Sequence, residues 1–194
     1  AGAENYVFHD VMSEGLTFGA VTGVTLKGVG VAESDYTIRT SGEVTDGCTF
    51  EVVFTQAFCD TLKAGDKIEI SYTATVNEKA VVGGNGNPNE SKLSYGDSSS
   101  ATPTTTPPST TTTYTWKIDV LKYTMKGDEE VKLADAVFTL SKSIDGTDPI
   151  ALISEGSNVY RVAKTGETGI TQITTDATGA FTIKGLDSDT YYLT

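Results

Sequence analysis

The sequence predicts an all-β protein: two β-sandwich domains joined by a linker rich in serine, threonine and proline. Three observations carry that prediction. Short alternating runs rich in threonine, valine and glycine recur along the chain. Turn signals such as "KGVG", "DGC", "KAGDK", "KGDEE", "DGTDP", "DATGA" and "GLDSD" separate them. The run Ser98–Thr113, "SSSATPTTTPPSTTTT", has no charge and only one alanine, so it cannot build a core and divides the chain near residue 100.

Taken in order, the first strand is expected at Tyr6–Asp10, where Tyr6 and Phe8 share a face. Alternation then marks Thr22–Lys27, Tyr36–Thr40, Thr49–Phe54, Lys67–Val76 and Lys92–Tyr95. The stretch "TQAFCDTLKAG" breaks the period. It places Phe58 and Leu62 four apart ahead of a glycine stop, which predicts one short helix. Beyond the Ser/Thr/Pro run, strands are expected at Thr115–Lys122, Ala136–Lys142, Asn158–Val162, Thr171–Thr174, Phe181–Lys184 and Tyr191–Leu193.

The bulk properties exclude several function classes. The 194 residues suit one large domain or two of about 100. With 38% hydrophobic and 21% charged residues, a packed core is expected rather than global disorder. A net charge of −12 opposes binding to nucleic acid and to anionic membrane surfaces. No apolar run approaches the roughly 18 residues of a membrane span. The opening "AGAENYVFHD" lacks the basic and apolar regions of a secretory leader.

Catalytic constellations are missing. His9 is the one histidine, so any Ser-His-Asp triad would need it; a strand histidine filling a local slot is the simpler reading. "GGNGNPNE" lacks the lysine and following helix of a phosphate loop and reads as a connection between strands. "DGTD" and "DSD" lack the ligand series of a calcium loop. Cys48 and Cys59 allow either one disulfide or two buried thiols, and their spacing fits no metal pattern. No enzyme, cofactor or metal is expected.

One feature remains. Three apolar strand faces end in a charge: Asp10 follows Tyr6 and Phe8, Asp97 follows Leu93 and Tyr95, and Lys122 follows Ile118 and Val120. Burying an unpaired charge costs several kcal/mol. A strand that simply ends in water explains any one of them; three invite a common cause.

The residues carry a resemblance. "FHDVMSEGLTF", "YTI" and "AFCDTLKAGDKIEISYTATVNEKAVVGGNGNPNESKLSYG" in the first half, with "YTWKIDVLKYT", "LADAVFTLSK" and "YRVAKTGETGITQITTDATGAFTIKGLDSDTYYLT" in the second, resemble the backbone pilins of Gram-positive bacteria. These are sortase-assembled fimbrial subunits built from collagen-adhesin-like B domains. The resemblance implies immunoglobulin-like sandwiches: a middle pilin domain at residues 1–97 without its first strands, a linker at 98–113, and a B-type domain at 114–194 without its last strand. It implies a subunit of a covalently polymerised pilus at the cell surface, with neighbouring pilin subunits and sortase as partners. A surface adhesin gripping a host protein or glycan is the alternative.

The family also implies spontaneous lysine–asparagine isopeptide bonds. Burial lowers a lysine pKa and raises that of a neighbouring carboxylic acid, which gives a neutral nucleophile beside a proton donor. On this resemblance Lys122 is the amine of the second domain, Asp10 the promoting carboxyl of the first, and Asp97 stands at the acceptor position. The resemblance places the first domain's lysine before residue 1, and the second domain's glutamate and asparagine beyond residue 194.

Overall fold

The computed structural model describes residues 4–44, 46–96 and 102–194. They are almost entirely β-structure, as the alternation predicts. Contacts divide the chain into two units, Ala1–Ala80 with Asn87–Thr113 and Val81–Gly86 with Tyr114–Thr194.

In the first unit the strands are β1 (Glu4–Met12), β2 (Leu16–Leu26), β3 (Val29–Gly30), β4 (Tyr36–Arg39) and β5 (Phe50–Phe54). After a helical turn, α1 (Gln56–Cys59), follow β6 (Ile68–Val76), β7 (Asn87–Gly96), β8 (Thr104–Thr105) and β9 (Ser109–Thr113). One antiparallel sheet runs β4-β5-β1-β7, with β8 and β9 both pairing with β7; the other runs β3-β2-β6. Phe50, Val52 and Phe54 alternate inward on β5 and are buried at 0%, 0% and 4% exposure. Phe50 lies against Phe8, Phe18 and Tyr72, with ring centroids 5.9, 4.3 and 5.0 Å away. These contacts join both sheets into one core.

The expected helix shortens to one turn. The Thr55 hydroxyl accepts from the Phe58 N–H at 3.3 Å and caps its start. The Thr61 hydroxyl donates to the Phe58 carbonyl at 2.7 Å, taking up an acceptor at the end of that turn. Burial of Phe58 against Phe54, at 5.2 Å between centroids, holds the turn on the core.

The described part of the expected linker is a correction. Ser109–Thr113 pairs antiparallel with Asn87–Ser91, and Thr104–Thr105 pairs with Ser94 and Tyr95. Composition suggests an extended linker that builds no core, but threonine is β-branched and its extended backbone also favours strand pairing. Pro107 and Pro108 fall between the two short strands rather than inside either, so neither ladder loses a donor. Amide hydrogen exchange should therefore be slowed across β9 relative to an unstructured chain. Exchange of Thr110–Thr113 at unstructured rates would return the segment to linker.

The second unit contains β10 (Trp116–Leu121), β11 (Tyr123–Lys126), β12 (Glu129–Lys132), β13 (Val137–Phe138) and β14 (Leu140–Ser141). It continues with β15 (Leu152–Gly156), β16 (Val159–Val162), β17 (Ile173–Thr174), β18 (Ala180–Leu186) and β19 (Tyr192–Leu193). A sheet of order β10-β18-β16-β15 is accompanied by the pairs β11-β12, β13-β17 and β14-β19. Its core is Leu140, Leu152, Ile173, Phe181, Ile183 and Leu186.

Candidate functional site

Strand β1 lies in the middle of its sheet, with β5 on one side and β7 on the other. Tyr6, Phe8 and Met12 on its inner face pack on the core, and Asp10 lies on that face at 0% exposure. Asp10 is fully enclosed because the opposite sheet covers it. The Tyr72 hydroxyl on β6 reaches across the sandwich and donates to Asp10 Oδ2 at 2.9 Å. The Asn89 amide on β7 donates to the same oxygen at 2.9 Å and to the Tyr72 hydroxyl at 2.8 Å. Asn89 pairs with Met12, so it reaches Asp10 diagonally along the ladder.

Two atoms in this triangle, Asp10 Oδ1 and Asn89 Oδ1, are buried without a hydrogen-bond partner. Burial raises the Asp10 pKa by more than the bonds from Asn89 and Tyr72 lower it. Burial, then the bond to Asp10 and its charge, push the Tyr72 phenol up to about 12. The site is a carboxyl with a raised proton affinity, in hydrogen-bond contact with a carboxamide inside an apolar sandwich.

The sequence reading found Asp10 but missed Asn89 and Tyr72. Asn89 sits in "GGNGNPNE", read as a connection, whereas β7 already begins at Asn87. The signal was present: Asn89 shares the alternating face of Leu93 and Tyr95, and Tyr72 that of Ile68 and Ile70.

The other predicted residues are placed as follows. Asp97 lies outside the described residues. Lys122 is exposed, a correction to the inward lysine. Ile118 and Val120 pack on the core as expected, but β10 ends at Leu121 and the chain then turns into the β11-β12 pair. The Lys122 N–H donates to Gly179 O at 2.7 Å, and its carbonyl accepts from the Leu133 N–H at 3.0 Å. This close approach needs the glycine: a Cβ on Gly179 would lie 2.4 Å from the Lys122 carbonyl oxygen.

Cys48 and Cys59 are both buried free thiols, so of the two open readings the disulfide is not formed. Burial first, then the bond to Asp46 and the charges of Asp46 and Glu51, push the Cys48 thiol up to about 12. Burial would also raise Asp46, but bonds from Cys48 and Lys92 outweigh it and hold that carboxyl well below the usual range.

Comparison with protein families places residues 1–99 in the family described as Gram-positive pilin backbone subunit 2, Cna-B-like domain. The chain belongs to the Gram-positive pilin backbone family. Comparison with curated protein sequences gives no match. Among solved structures, the pilin is similar to a 35 kDa C-terminal fragment of the major pilin GBS80 of Streptococcus agalactiae, at 19% identity and a TM-score of 0.70, covering 95% of this chain and 67% of that one. It is similar to the full-length major pilin SpaD of Corynebacterium diphtheriae at 23% identity and a TM-score of 0.61, covering 93% and 40%. The pilus backbone RrgB of Streptococcus pneumoniae matches at 14% identity and a TM-score of 0.61, covering 100% and 78%. At these identities the likeness is one of fold. The pilin spans 40% of the length of full-length SpaD.

Proposed function

We propose that this chain forms part of the shaft of a covalently polymerised pilus on a bacterial surface, with copies of the same subunit as neighbours and sortase as the enzyme that joins them. Membership of the backbone family supports this reading. The chain's own contribution is mechanical, and Asp10, Asn89 and Tyr72 are its means. A lysine amine brought to this centre would attack the Asn89 side-chain carbonyl carbon. A C–N bond forms, the bond to the original amide nitrogen breaks, and ammonia leaves with the proton released by the amine. Protonated Asp10 would donate to the carbonyl oxygen once the Asn89 amide is turned about its terminal torsion.

The observation that carries this is the pair of unpartnered atoms. Asp10 Oδ1 and Asn89 Oδ1 are the two oxygens such a reaction uses, and both are buried without a protein hydrogen-bond partner. Asn89 is proposed as the acceptor because its amide bonds to Asp10. Lys122, on the resemblance the amine of the second unit, lacks in this chain the burial that the chemistry requires.

Intact-mass measurement tests the proposal. The 194-residue chain should have its full sequence mass, since no described lysine amine bonds to Asp10 or Asn89. The complete subunit should be lighter by one ammonia for this centre, and Asn89→Ala should restore that mass. A complete subunit whose deficit survives Asn89→Ala would remove Asn89 from the role.

A further inference from the structure

The outer face of the same strand carries a second cluster, unrelated to the cross-link chemistry. The sheet order β4-β5-β1-β7 sets four side-chain positions in one row: Arg39 opposite Glu51, Glu51 opposite His9, and His9 opposite Lys92. An outward row of a sandwich normally faces water, yet His9 and Glu51 are 6% and 0% exposed. Asp46 and Cys48, from the segment leading into β5, meet these two side chains.

Four different donors then converge. His9 Nδ1 lies 3.3 Å from Asp46 Oδ2 and 3.3 Å from Glu51 Oε1. Cys48 Sγ lies 4.0 Å from His9 Nδ1 and 3.9 Å from Glu51 Oε1. All four atoms fall within 4.8 Å of one another. Lys92 and Arg39 flank the two carboxylates from outside. At the centre a single ring nitrogen faces two carboxylate oxygens and a thiol, and a cation placed there would contact all four donors.

We propose that His9 Nδ1, Asp46 Oδ2, Cys48 Sγ and Glu51 Oε1 form a binding site for a divalent transition metal, with zinc the best match. Zinc bonds of about 2.0–2.3 Å set tetrahedral edges of roughly 3.3–3.8 Å. Four of the six observed edges are 3.3, 3.3, 3.9 and 4.0 Å, and the two from Asp46 to Cys48 and Glu51 lie within 4.8 Å, so the donors would close slightly on the metal. The mixed nitrogen, sulfur and oxygen set suits zinc and disfavours calcium and magnesium, which take oxygen alone.

The surroundings are those of a held site. His9 Nε2 lies 2.8 Å from the Ser94 hydroxyl, which orients the ring so that Nδ1 faces the cluster. Arg39 Nη1 lies 3.6 Å from Glu51 Oε2, leaving Oε1 turned to the centre. Lys92 Nζ lies 2.9 Å from Asp46 Oδ2, and the Cys48 N–H donates to Asp46 Oδ1 at 3.2 Å. The Cys48 thiol now donates toward Phe50 O at 3.4 Å; on binding, its proton leaves to solvent and sulfur bonds the metal. The Asp46 side chain, 32% exposed, marks the route of access. Three bound anions outweigh Zn²⁺ by one charge, and Arg39 and Lys92 flank the remainder. The metal would tie β1, β5 and the segment between β4 and β5 together at the sheet's outer face.

The test uses the 194-residue chain, stripped with chelator and titrated with zinc alone or with cobalt. Native mass spectrometry should find one zinc per chain, and cobalt should produce a thiolate-to-cobalt charge-transfer band. Cys48→Ala should abolish that band, while Cys59→Ala should leave it intact. Asp46→Asn, at a partly exposed position, should keep the fold and weaken zinc by at least about tenfold. Failure of the folded wild-type chain to retain zinc at micromolar concentration would overturn the site, leaving a charge-paired buried network. A cobalt band that persists in Cys48→Ala would overturn it equally.

Discussion

Phe50→Ala is expected to destabilise the first unit by about 3 to 5 kcal/mol, the full range for truncating a buried aromatic side chain. The side chain is fully buried. It also lies where the two sheets meet, in ring contact with Phe8 of β1, Phe18 of β2 and Tyr72 of β6. Truncation removes the apolar transfer term and leaves a cavity bounded by three aromatic rings on two sheets. Those rings cannot all move inward without breaking their ladders. Tyr72 would lose the ring that supports it, so the hydrogen bond to Asp10 should loosen as well. Hydrogen exchange gives a readout by segment: amides of β1, β5 and β6 should lose protection, while those of β18 keep theirs. Equal loss in β18 would show that the two units unfold together.

Asp10→Asn should leave the chain more stable at pH 7, against the usual direction for a buried substitution. The carboxyl of Asp10 holds its proton more tightly in the native state than in the unfolded chain. Its contribution to stability is fully present below the unfolded value of about 3.9, declines as pH rises through the raised native value, and stays lost above it. The neutral isostere removes this cost, so the variant should unfold at a higher denaturant concentration than wild type at pH 7. Asparagine retains an oxygen to accept from Tyr72 and Asn89. Asp46 and Glu167, whose native values are lowered, give the opposite slope in both proteins and cancel in the comparison. The stability difference between variant and wild type should therefore grow from about pH 4 upward and then level off. A difference independent of pH would show that Asp10 does not carry the burial cost.

How much was legible depended on whether the signal was local. The inward set Phe50, Val52 and Phe54 followed from a period of two, because a pleated strand has no other way to place alternate side chains. The same rule put Asp10 on an apolar face. It failed at Lys122, where the chain leaves β10 for a different partner and the lysine stays in water. It is silent on the threonine run, whose side chains are alike on both faces, so its pairing with β7 has no signature in alternation.

Alternation and turn residues were sufficient for the all-β class, since each strand records its own two faces. The two sites were different. Asp10 meets Asn89 only because β1 and β7 are neighbours, 79 positions apart in sequence, and Tyr72 only because a second sheet closes over them. His9 meets Glu51 and Cys48 only because β5 pairs with β1, and Asp46 arrives on the segment before it. Local periodicity specifies which way a side chain points. Strand order and register decide what it meets, and those are settled by the joint packing of both sheets rather than by any one segment.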